Sequence, residues 1–207
     1  MVLGCPLTFF GETLQTVSRP CAHRLPAGTV IDVILRAAVD TDALCIGVLG
    51  TQVFLDTYAP DGVRASLARE ALTHLSPAAI SVLLSAPGSR FIVAERDGRM
   101  VAFAQLTMDS IQEQVPLRPA AELNRLYVQE RFTGRGVGSA LLARAETMAA
   151  TEGANTLWLT AWVGNHRALA YYARRDYKDF GATLYEFENE QYENRIFAKS
   201  LRATEIG

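Results

Sequence analysis

Three glycines, Gly134, Gly136 and Gly138, stand at alternate positions between a strand-like segment and a helical pattern. Unpaired backbone N–H groups and the positive end of the helix dipole meet at such a turn. A turn of this kind is suited to bind the phosphate groups of a ligand. The alternative is that the glycines serve only a tight turn and close packing of helix on strand.

Two common nucleotide-binding motifs do not match this turn. No lysine follows the glycines in the pattern of a Walker A loop. A dinucleotide-binding fingerprint would need a third glycine where Ser139 stands, and the turn lies in mid-chain, after several other elements. The sequence therefore disfavours a nucleoside triphosphate or NAD as the ligand.

The elements around the turn can be predicted from hydrophobic periodicity. Residues 123–128 form a short apolar run typical of a strand, and apolar residues then recur at helical spacing from Val137 until Gly153. Residues 156–163 again resemble a strand, and Asn165 is a candidate N-cap for a short helix over 167–175. The turn is therefore expected at the centre of the fold.

The remaining elements indicate a single α/β domain. The pattern predicts a strand over 30–35, a helix from Ala43, a helix after Asp61 and another from Ser76-Pro77. Strands over 91–95 and 100–108 flank Asp97-Gly98, a strong hairpin signal, and two late strands cover 183–187 and 195–201. We expect a mixed, mostly antiparallel sheet with helices on both faces, over residues 30–207. Residues 1–29 lack periodicity and are interpreted as an N-terminal extension outside the core.

Composition excludes several classes of function. The 207 residues are 49% apolar, with a net charge of −2, so the chain offers no basic face for nucleic acid. The apolar runs are far too short to span a membrane. Three widely spaced cysteines and three scattered histidines suggest neither a disulfide framework nor a metal site, and free thiols indicate the cytoplasm.

Three segments of the chain resemble the GNAT family of N-acetyltransferases. They are Leu126-Tyr127-Val128, the run Gly134-Arg135-Gly136-Val137-Gly138-Ser139-Ala140-Leu141-Leu142, and the stretch from Asn165 to Tyr172. The resemblance extends over residues 31–201. Within the family, two segments are most similar to the bacterial spermine/spermidine acetyltransferase branch. They are Asn124-Arg125-Leu126-Tyr127-Val128-Gln129 and the later Leu157-Trp158-Leu159 with Trp162 and Asn165.

The resemblance implies that acetyl-CoA is the cosubstrate and binds between the strands at 123–128 and 156–163. Pantetheine would pair with the backbone of Leu126 to Val128, and the Val128 N–H would face the acetyl carbonyl. The turn would bind the pyrophosphate through its N–H groups, with Arg131 or Arg135 offsetting charge. The full set of expected cofactor-binding residues is Leu126, Tyr127, Val128, Arg131, Thr133, Gly134, Arg135, Gly136, Val137, Gly138, Ser139, Asn165 and Tyr172.

Two residues are candidates for catalysis. Tyr172 matches the GNAT tyrosine that protonates the CoA sulfur, although an aromatic residue that only packs on the sheet is the alternative. Glu122, at the start of the central strand, could relay the proton of the amine through water as a general base. An exposed strand-end glutamate, with ordered water as the base, explains Glu122 as well. Asn165 either bonds pantetheine or simply caps its helix.

Two positions depart from the family pattern. Thr133 stands where the pyrophosphate loop usually has Gln or Arg, and Asp176-Tyr177 stands where Gly-Phe is common. The first weakens the loop motif without removing its backbone donors. The second puts the geometry of the following turn in doubt.

The acceptor is expected to be a primary amine, with a polyamine as the first hypothesis. Glu186, Glu188, Glu190 and Glu193 form an acidic cluster that would attract a polycation, or else an ordinary solvated strand edge. Asp56-Thr57-Tyr58 matches a segment that borders the acceptor cleft in this family. A peptide or protein amine, an aminoglycoside, and a CoA-binding sensor without catalysis are the alternatives. Homodimerisation through the late strands is common in similar proteins, and the sequence leaves it open.

Overall fold

The computed structural model describes residues 31–187 and 190–202, which form one seven-stranded sheet with helices on both faces. The strands are β1 (Ile34–Ala37), β2 (Ser89–Arg96), β3 (Arg99–Thr107), β4 (Ala120–Val128), β5 (Thr156–Trp162), β6 (Lys178–Phe187) and β7 (Glu190–Ser200). The helices are α1 (Ala43–Tyr58), α2 (Ala65–Leu75), α3 (Pro77–Ser85), α4 (Val137–Thr151) and α5 (His166–Ala173).

The strands lie in the order β1-β2-β3-β4-β5-β7-β6, and only β4 and β5 are parallel neighbours. This confirms the predicted mixed, mostly antiparallel sheet with flanking helices. A parallel pair needs a crossover connection, and α4 supplies it between β4 and β5. Their pairing is short, since it joins only Ala120–Glu122 to Thr156–Trp158. Beyond these three pairs the two strands diverge.

Two hydrophobic cores cover the two faces of the sheet. On one face, α4 buries Leu141 and Leu142 against β-strand residues such as Leu157. On the other face, α1 and α3 bury Ile46 and Ile80 against β2 and β3. Each of these side chains is almost wholly removed from water, so both faces contribute hydrophobic stabilisation. Among residues 31–187 and 190–202, no helix combines the length and hydrophobicity of a membrane span.

Several local predictions are confirmed. The turn at Asp97-Gly98 has φ of 51° and 68° at its two residues and joins β2 and β3 as an antiparallel hairpin. The Ser76 side chain accepts a hydrogen bond from Ala79 N and caps α3. Asn165 caps α5 in the same way, through Ala168 N.

Other element boundaries differ from the sequence prediction. The first strand begins at Ile34 rather than at residue 30, and Ile31 N instead donates to Arg135 O. The segment Asp56-Thr57-Tyr58 is the last turn of α1. Both late strands begin about five residues early, because cross-strand backbone bonds extend the hairpin through polar residues that give no hydrophobic signal. The predicted extension over 1–29 lies outside the described residues.

Candidate active site

A cavity of about 790 Å³ opens where β4 and β5 diverge. Leu126 and Val128 line it from β4, and Trp162 lines it from the end of β5. The glycine turn and α5 form two further walls, and the C-terminal half of α1 forms another. The remaining lining residues are Val53, Asp56, Thr57, Glu130, Thr133, Gly134, Gly136, Gly138, Ser139, Gly164, Asn165, His166, Arg167, Ala168, Tyr171, Tyr172, Arg174 and Arg175.

The glycine turn has the backbone conformation that its sequence predicts. Gly134 and Gly136 adopt φ of 69° and 86°, in the left-handed region that favours glycine, and Gly136 is the N-cap of α4. At Gly138 an added Cβ would lie 3.5 Å from Tyr171 Oη, an ordinary van der Waals contact. The N-terminal N–H groups of α4 therefore adjoin the cavity. No side chain stands at Gly134 or Gly136, the two positions with positive φ. This turn fits an anionic group such as a pyrophosphate.

The arginines beside the turn are not the ones that the sequence suggested. Arg167, Arg174 and Arg175 line the cavity, whereas Arg131 and Arg135 do not. Arg131 instead lies over the Phe132 ring, 4.9 Å from its centroid. Helical spacing could have revealed a better candidate, because Arg175 follows Tyr171 by four residues on the same helical face.

Arg175 is held at the N-terminus of α4 by two contacts. Its guanidinium donates to Ser139 Oγ and lies over the Tyr171 ring, 3.7 Å from the centroid. Planar stacking and a fixed hydrogen bond restrict the guanidinium to one orientation. A positive charge is therefore placed beside the turn that would bind phosphate groups.

Tyr172 lies in the wall of the cavity, as expected for the candidate acid. Only 9% of the residue is exposed, and its ring packs against Tyr177 and Phe197 at centroid distances of 5.6 and 6.3 Å. Burial raises the pKa of the Tyr172 hydroxyl well above its ordinary value, so the phenol stays protonated. The neighbouring Tyr171 also lines the cavity and is not merely a core residue.

The two departures from the family pattern are accommodated locally. Asp176 adopts φ of 66°, the conformation that the usual glycine would take, and aspartate tolerates it better than most residues. Tyr177 is buried at 3% exposure, in the place of the usual phenylalanine. Thr133 Oγ1 donates to Glu130 O at 2.8 Å and closes the short 3-10 turn before the glycines. Thr133 thus shapes the loop without supplying a charge.

A bulge in β4 determines which of its residues lie on the sheet face covered by α1. Leu106 pairs with Leu123, but Gln105 pairs with Arg125, so Asn124 is an extra residue in the strand. As a result Glu122, Arg125 and Tyr127 share the face covered by α1, away from Leu126 and Val128. Neither Glu122, Tyr127 nor the buried Val137 lines the cavity.

Glu122 is half-buried rather than exposed. Its Oε2 accepts a hydrogen bond from Ser110 Oγ at 3.2 Å. Burial raises the pKa of the Glu122 carboxyl, and the bonds from Ser110 and Asn124 offset part of that rise. A raised pKa suits a carboxylate to act as a base near neutral pH.

Aromatic side chains form the wall of the cavity at the end of α1. The Tyr58 ring lies 5.0 Å from that of Phe54 and 5.9 Å from that of Trp162. Gly164 leaves no room for a side chain, because an added Cβ would lie 2.4 Å from the Trp162 ring. Gly164 therefore fixes where Trp162 can stand. Neither residue was predicted as part of the site from the sequence.

Two members of the predicted acidic cluster, Glu186 and Glu193, do not line this cavity. Glu186 Oε1 accepts from Gln191 at 3.1 Å, and Glu193 lies 3.7 Å from Arg195. The side chains of Glu188 and Glu190 lie outside the described part of the chain. The carboxylate residues that the structure does place in the wall are Asp56, in the last turn of α1, and Glu130, before the glycine turn.

Comparisons with known protein sequences find acetyltransferases. Residues 56–177 match the Acetyltransferase (GNAT) family. An uncharacterized N-acetyltransferase from Lactobacillus delbrueckii subsp. lactis is 24% identical over 153 residues, which cover 74% of this chain and 88% of the relative.

Solved structures with the same fold include two N-acetyltransferases. A GCN5-related N-acetyltransferase from Rhodopseudomonas palustris has a TM-score of 0.63 at 22% identity, covering 85% of this chain and 98% of the other. PaiA N-acetyltransferase from Thermoplasma acidophilum, solved with coenzyme A, has a TM-score of 0.63 at 18% identity, with coverages of 82% and 99%.

Proposed function

The chain belongs to the GNAT family of acetyltransferases, and on that premise we propose that it acetylates a small primary amine at the cavity between β4 and β5. Acetyl-CoA supplies the acetyl group as an activated thioester. The observation that carries the proposal is one cavity that brings together the glycine turn, the diverging strands and Tyr172. Together these provide an anion-binding end and a proton donor along one path.

The residues of the turn bind and orient the cosubstrate. Backbone N–H groups from Gly134 to Ser139 face the pyrophosphate, and the Arg175 guanidinium offsets its charge. The open edge of β4 at Leu126 to Val128 pairs with the pantetheine chain. At the end of that edge, the Val128 N–H donates to the acetyl carbonyl as its oxygen gains negative charge.

Two side chains handle protons on opposite sides of the sheet. Tyr172 keeps its proton because of burial and donates it toward the sulfur as the C–S bond breaks. Glu122 accepts the proton of the attacking amine through water from the α1 face, where burial raises the pKa of its carboxyl. The amine therefore approaches from the α1 side, and the cosubstrate from the α4 side.

The sequence resemblance favours a polyamine as the amine, and the Asp56 carboxylate in the cavity wall supports a cationic acceptor. A peptide amine and an aminoglycoside use the same chemistry. A CoA-binding sensor without catalysis is disfavoured because Tyr172, a proton donor suited to the departing sulfur, stands in the cavity wall.

Release of free CoA thiol from acetyl-CoA, measured against a panel of amines, tests the proposal. The panel contains spermidine, spermine, a lysine peptide, an aminoglycoside and single amino acids, and mass spectrometry verifies the acetylated product. Blanks without amine correct for reaction of the exposed Cys45 thiol and of Cys5 and Cys21. Amine-dependent thiol release supports the proposal, whereas tight acetyl-CoA binding without any release overturns it in favour of a sensor.

A further inference from the structure

Arg125 projects from β4 onto the sheet face from which the amine is expected to approach. The bulge at Asn124 puts it on the same face as Glu122 and Tyr127, although Glu122 and Arg125 are three residues apart. Arg125 precedes the Leu126–Val128 edge, and its Cα lies about 10 Å from that of Val128 at roughly 3.3 Å per residue. An arginine side chain of ordinary length thus reaches the neighbourhood of the reacting carbonyl.

The partners of Arg125 are neutral. Its Nη1 donates to Oε1 of Gln105, which is itself only 3% exposed. Burial raises the pKa of the Tyr127 hydroxyl, and a hydrogen bond from Arg125 offsets part of that rise. Among the side chains that the structure describes, which exclude those of residues 187–190, no carboxylate lies within ion-pair distance of this guanidinium. A half-buried charge with only neutral partners is costly, and most of its five donors remain available.

The acidic groups nearby have other partners. Glu122 accepts from Ser110 Oγ at 3.2 Å, and Glu70 Oε1 accepts from Tyr185 Oη at 2.9 Å. Burial raises the pKa values of Glu122 and Tyr185, and the nearby positive charge of Arg125 offsets part of each rise without contact. One cation therefore stands beside one half-buried candidate base on the same face.

This juxtaposition fits an acceptor that carries opposite charges a short distance apart. An amine attacking the carbonyl would present its nitrogen toward Glu122, and a carboxylate on the same small molecule would reach the guanidinium. Arginine binds a carboxylate with two parallel hydrogen bonds, which fixes orientation as well as position. A polyamine, in contrast, would bring like charge to Arg125.

We propose that Arg125 is a specificity-determining residue that binds the carboxylate of the acceptor, which makes the substrate a small amino acid-like amine. This inference rests on the proposed function and deepens it. It replaces the polyamine with a zwitterionic acceptor at the same site.

Matched pairs of acceptors that differ only in the carboxylate test the inference. The pairs are tyrosine and tyramine, methionine and 3-(methylthio)propylamine, and lysine and cadaverine, with phosphoethanolamine added to separate phosphate from carboxylate. Thiol release is measured for the wild type, Arg125→Gln and Arg125→Lys. Arg99→Gln is the control variant, because Arg99 is exposed in the β2–β3 hairpin and does not line the cavity.

We expect the wild type to prefer the carboxylate member of at least one pair, and Arg125→Gln to lower kcat/KM for it about 100-fold. For the partner that lacks the carboxylate, we expect kcat/KM to change by less than about threefold. Arg125→Lys should give an intermediate loss, and Arg99→Gln none. Acetyl-CoA affinity and the urea midpoint, measured for each variant, show whether the substitution has disturbed the fold.

Three outcomes overturn the inference. Equal losses for both members of a pair would mean that Arg125 supports the fold or the thioester rather than the acceptor. Turnover of carboxylate-free amines alone, or a preference for phosphoethanolamine, would refute a carboxylate while leaving the proposed function intact. Silence with every amine, at full acetyl-CoA binding, would overturn the proposed function as well.

Discussion

The Tyr177 hydroxyl donates a hydrogen bond to Glu146 Oε1 at 3.0 Å, linking the turn after α5 to the middle of α4. Lys199 Nζ lies 3.1 Å from both oxygens of the same carboxylate and completes a group from three elements. The family commonly has phenylalanine at this buried position. The extra hydroxyl is tolerated because Glu146 satisfies it, and Lys199 neutralises the glutamate.

Replacing Tyr177 by phenylalanine should therefore lower stability modestly. The substitution keeps the buried ring and removes one hydrogen bond to a charged acceptor, at a cost of about 1 kcal/mol in the free energy of unfolding. Urea denaturation of wild type, Tyr177→Phe, Glu146→Gln and the double variant gives the coupling between the two side chains. Additive losses in the double variant would contradict the bond.

Stability should also fall steeply above pH 10. Burial raises the pKa of the buried and half-buried tyrosines, which are Tyr127, Tyr171, Tyr172 and Tyr177. In the unfolded chain these phenols lose protons near pH 10, while the folded chain keeps them. The folded state then binds more protons, so the free energy of unfolding decreases as pH rises.

Urea midpoints between pH 8 and pH 11.5 measure this dependence, and ultraviolet absorbance reports tyrosine ionisation directly. Tyr177→Phe is the matched variant, because it removes one raised pKa and should flatten the slope above pH 10. A folded protein whose tyrosines ionise at pH 10 would show that burial does not hold their protons.

Hydrophobic periodicity predicted which elements form the site, but not every residue that faces it. Local signals were enough to place the glycine turn, β4, β5, α5 and Tyr172, because hydrophobic spacing and helix caps depend on residues that are close together in the sequence. The bulge at Asn124 could not. Strict alternation along β4 would put Glu122 and Arg125 on opposite faces, and only pairing with β3 reveals the extra residue. Asp176 is a similar case: the resemblance has glycine at this position, and only the structure shows that the aspartate takes the left-handed conformation.

Gly136→Glu should abolish acetyl-CoA binding. The substitution brings a carboxylate to the N-terminus of α4, where the dipole and N–H groups would otherwise face the pyrophosphate. It also forces a side chain into φ of 86°. Isothermal titration with acetyl-CoA measures the loss of affinity.

Gly98→Glu is the matched control for backbone strain. Gly98 has φ of 68° in the β2–β3 hairpin, with no atom within 4 Å of an added Cβ. Both variants carry a similar cost in stability, of roughly 1–2 kcal/mol, but only the first should lose the ligand. Unchanged affinity in folded Gly136→Glu would remove the turn from the binding site.

Gly164→Ala should displace Trp162 and perturb the cavity. A Cβ placed 2.4 Å from the indole ring cannot be accommodated without movement of that ring. We expect a shift in tryptophan emission and weaker acetyl-CoA binding. Trp162→Phe assigns the emission, since it leaves only the other tryptophan, Trp158, which is 5% exposed. Gly88→Ala, where the nearest contact would be 3.5 Å, should leave the spectrum unchanged; an unaltered spectrum for Gly164→Ala as well would refute the clash.

Tyr172→Phe tests whether Tyr172 is a proton donor or an aromatic residue that only packs. The ring remains to contact Tyr177 and Phe197, so stability and acetyl-CoA affinity should change little. Turnover should fall about 100-fold, because the substitution removes the hydroxyl that we propose protonates the departing sulfur. Tyr177→Phe is the matched control, since it makes the same substitution beside Tyr172 but outside the cavity lining. If both variants turn over acceptor at the rate of the wild type, Tyr172 packs in the wall of the cavity and the sulfur takes its proton from water.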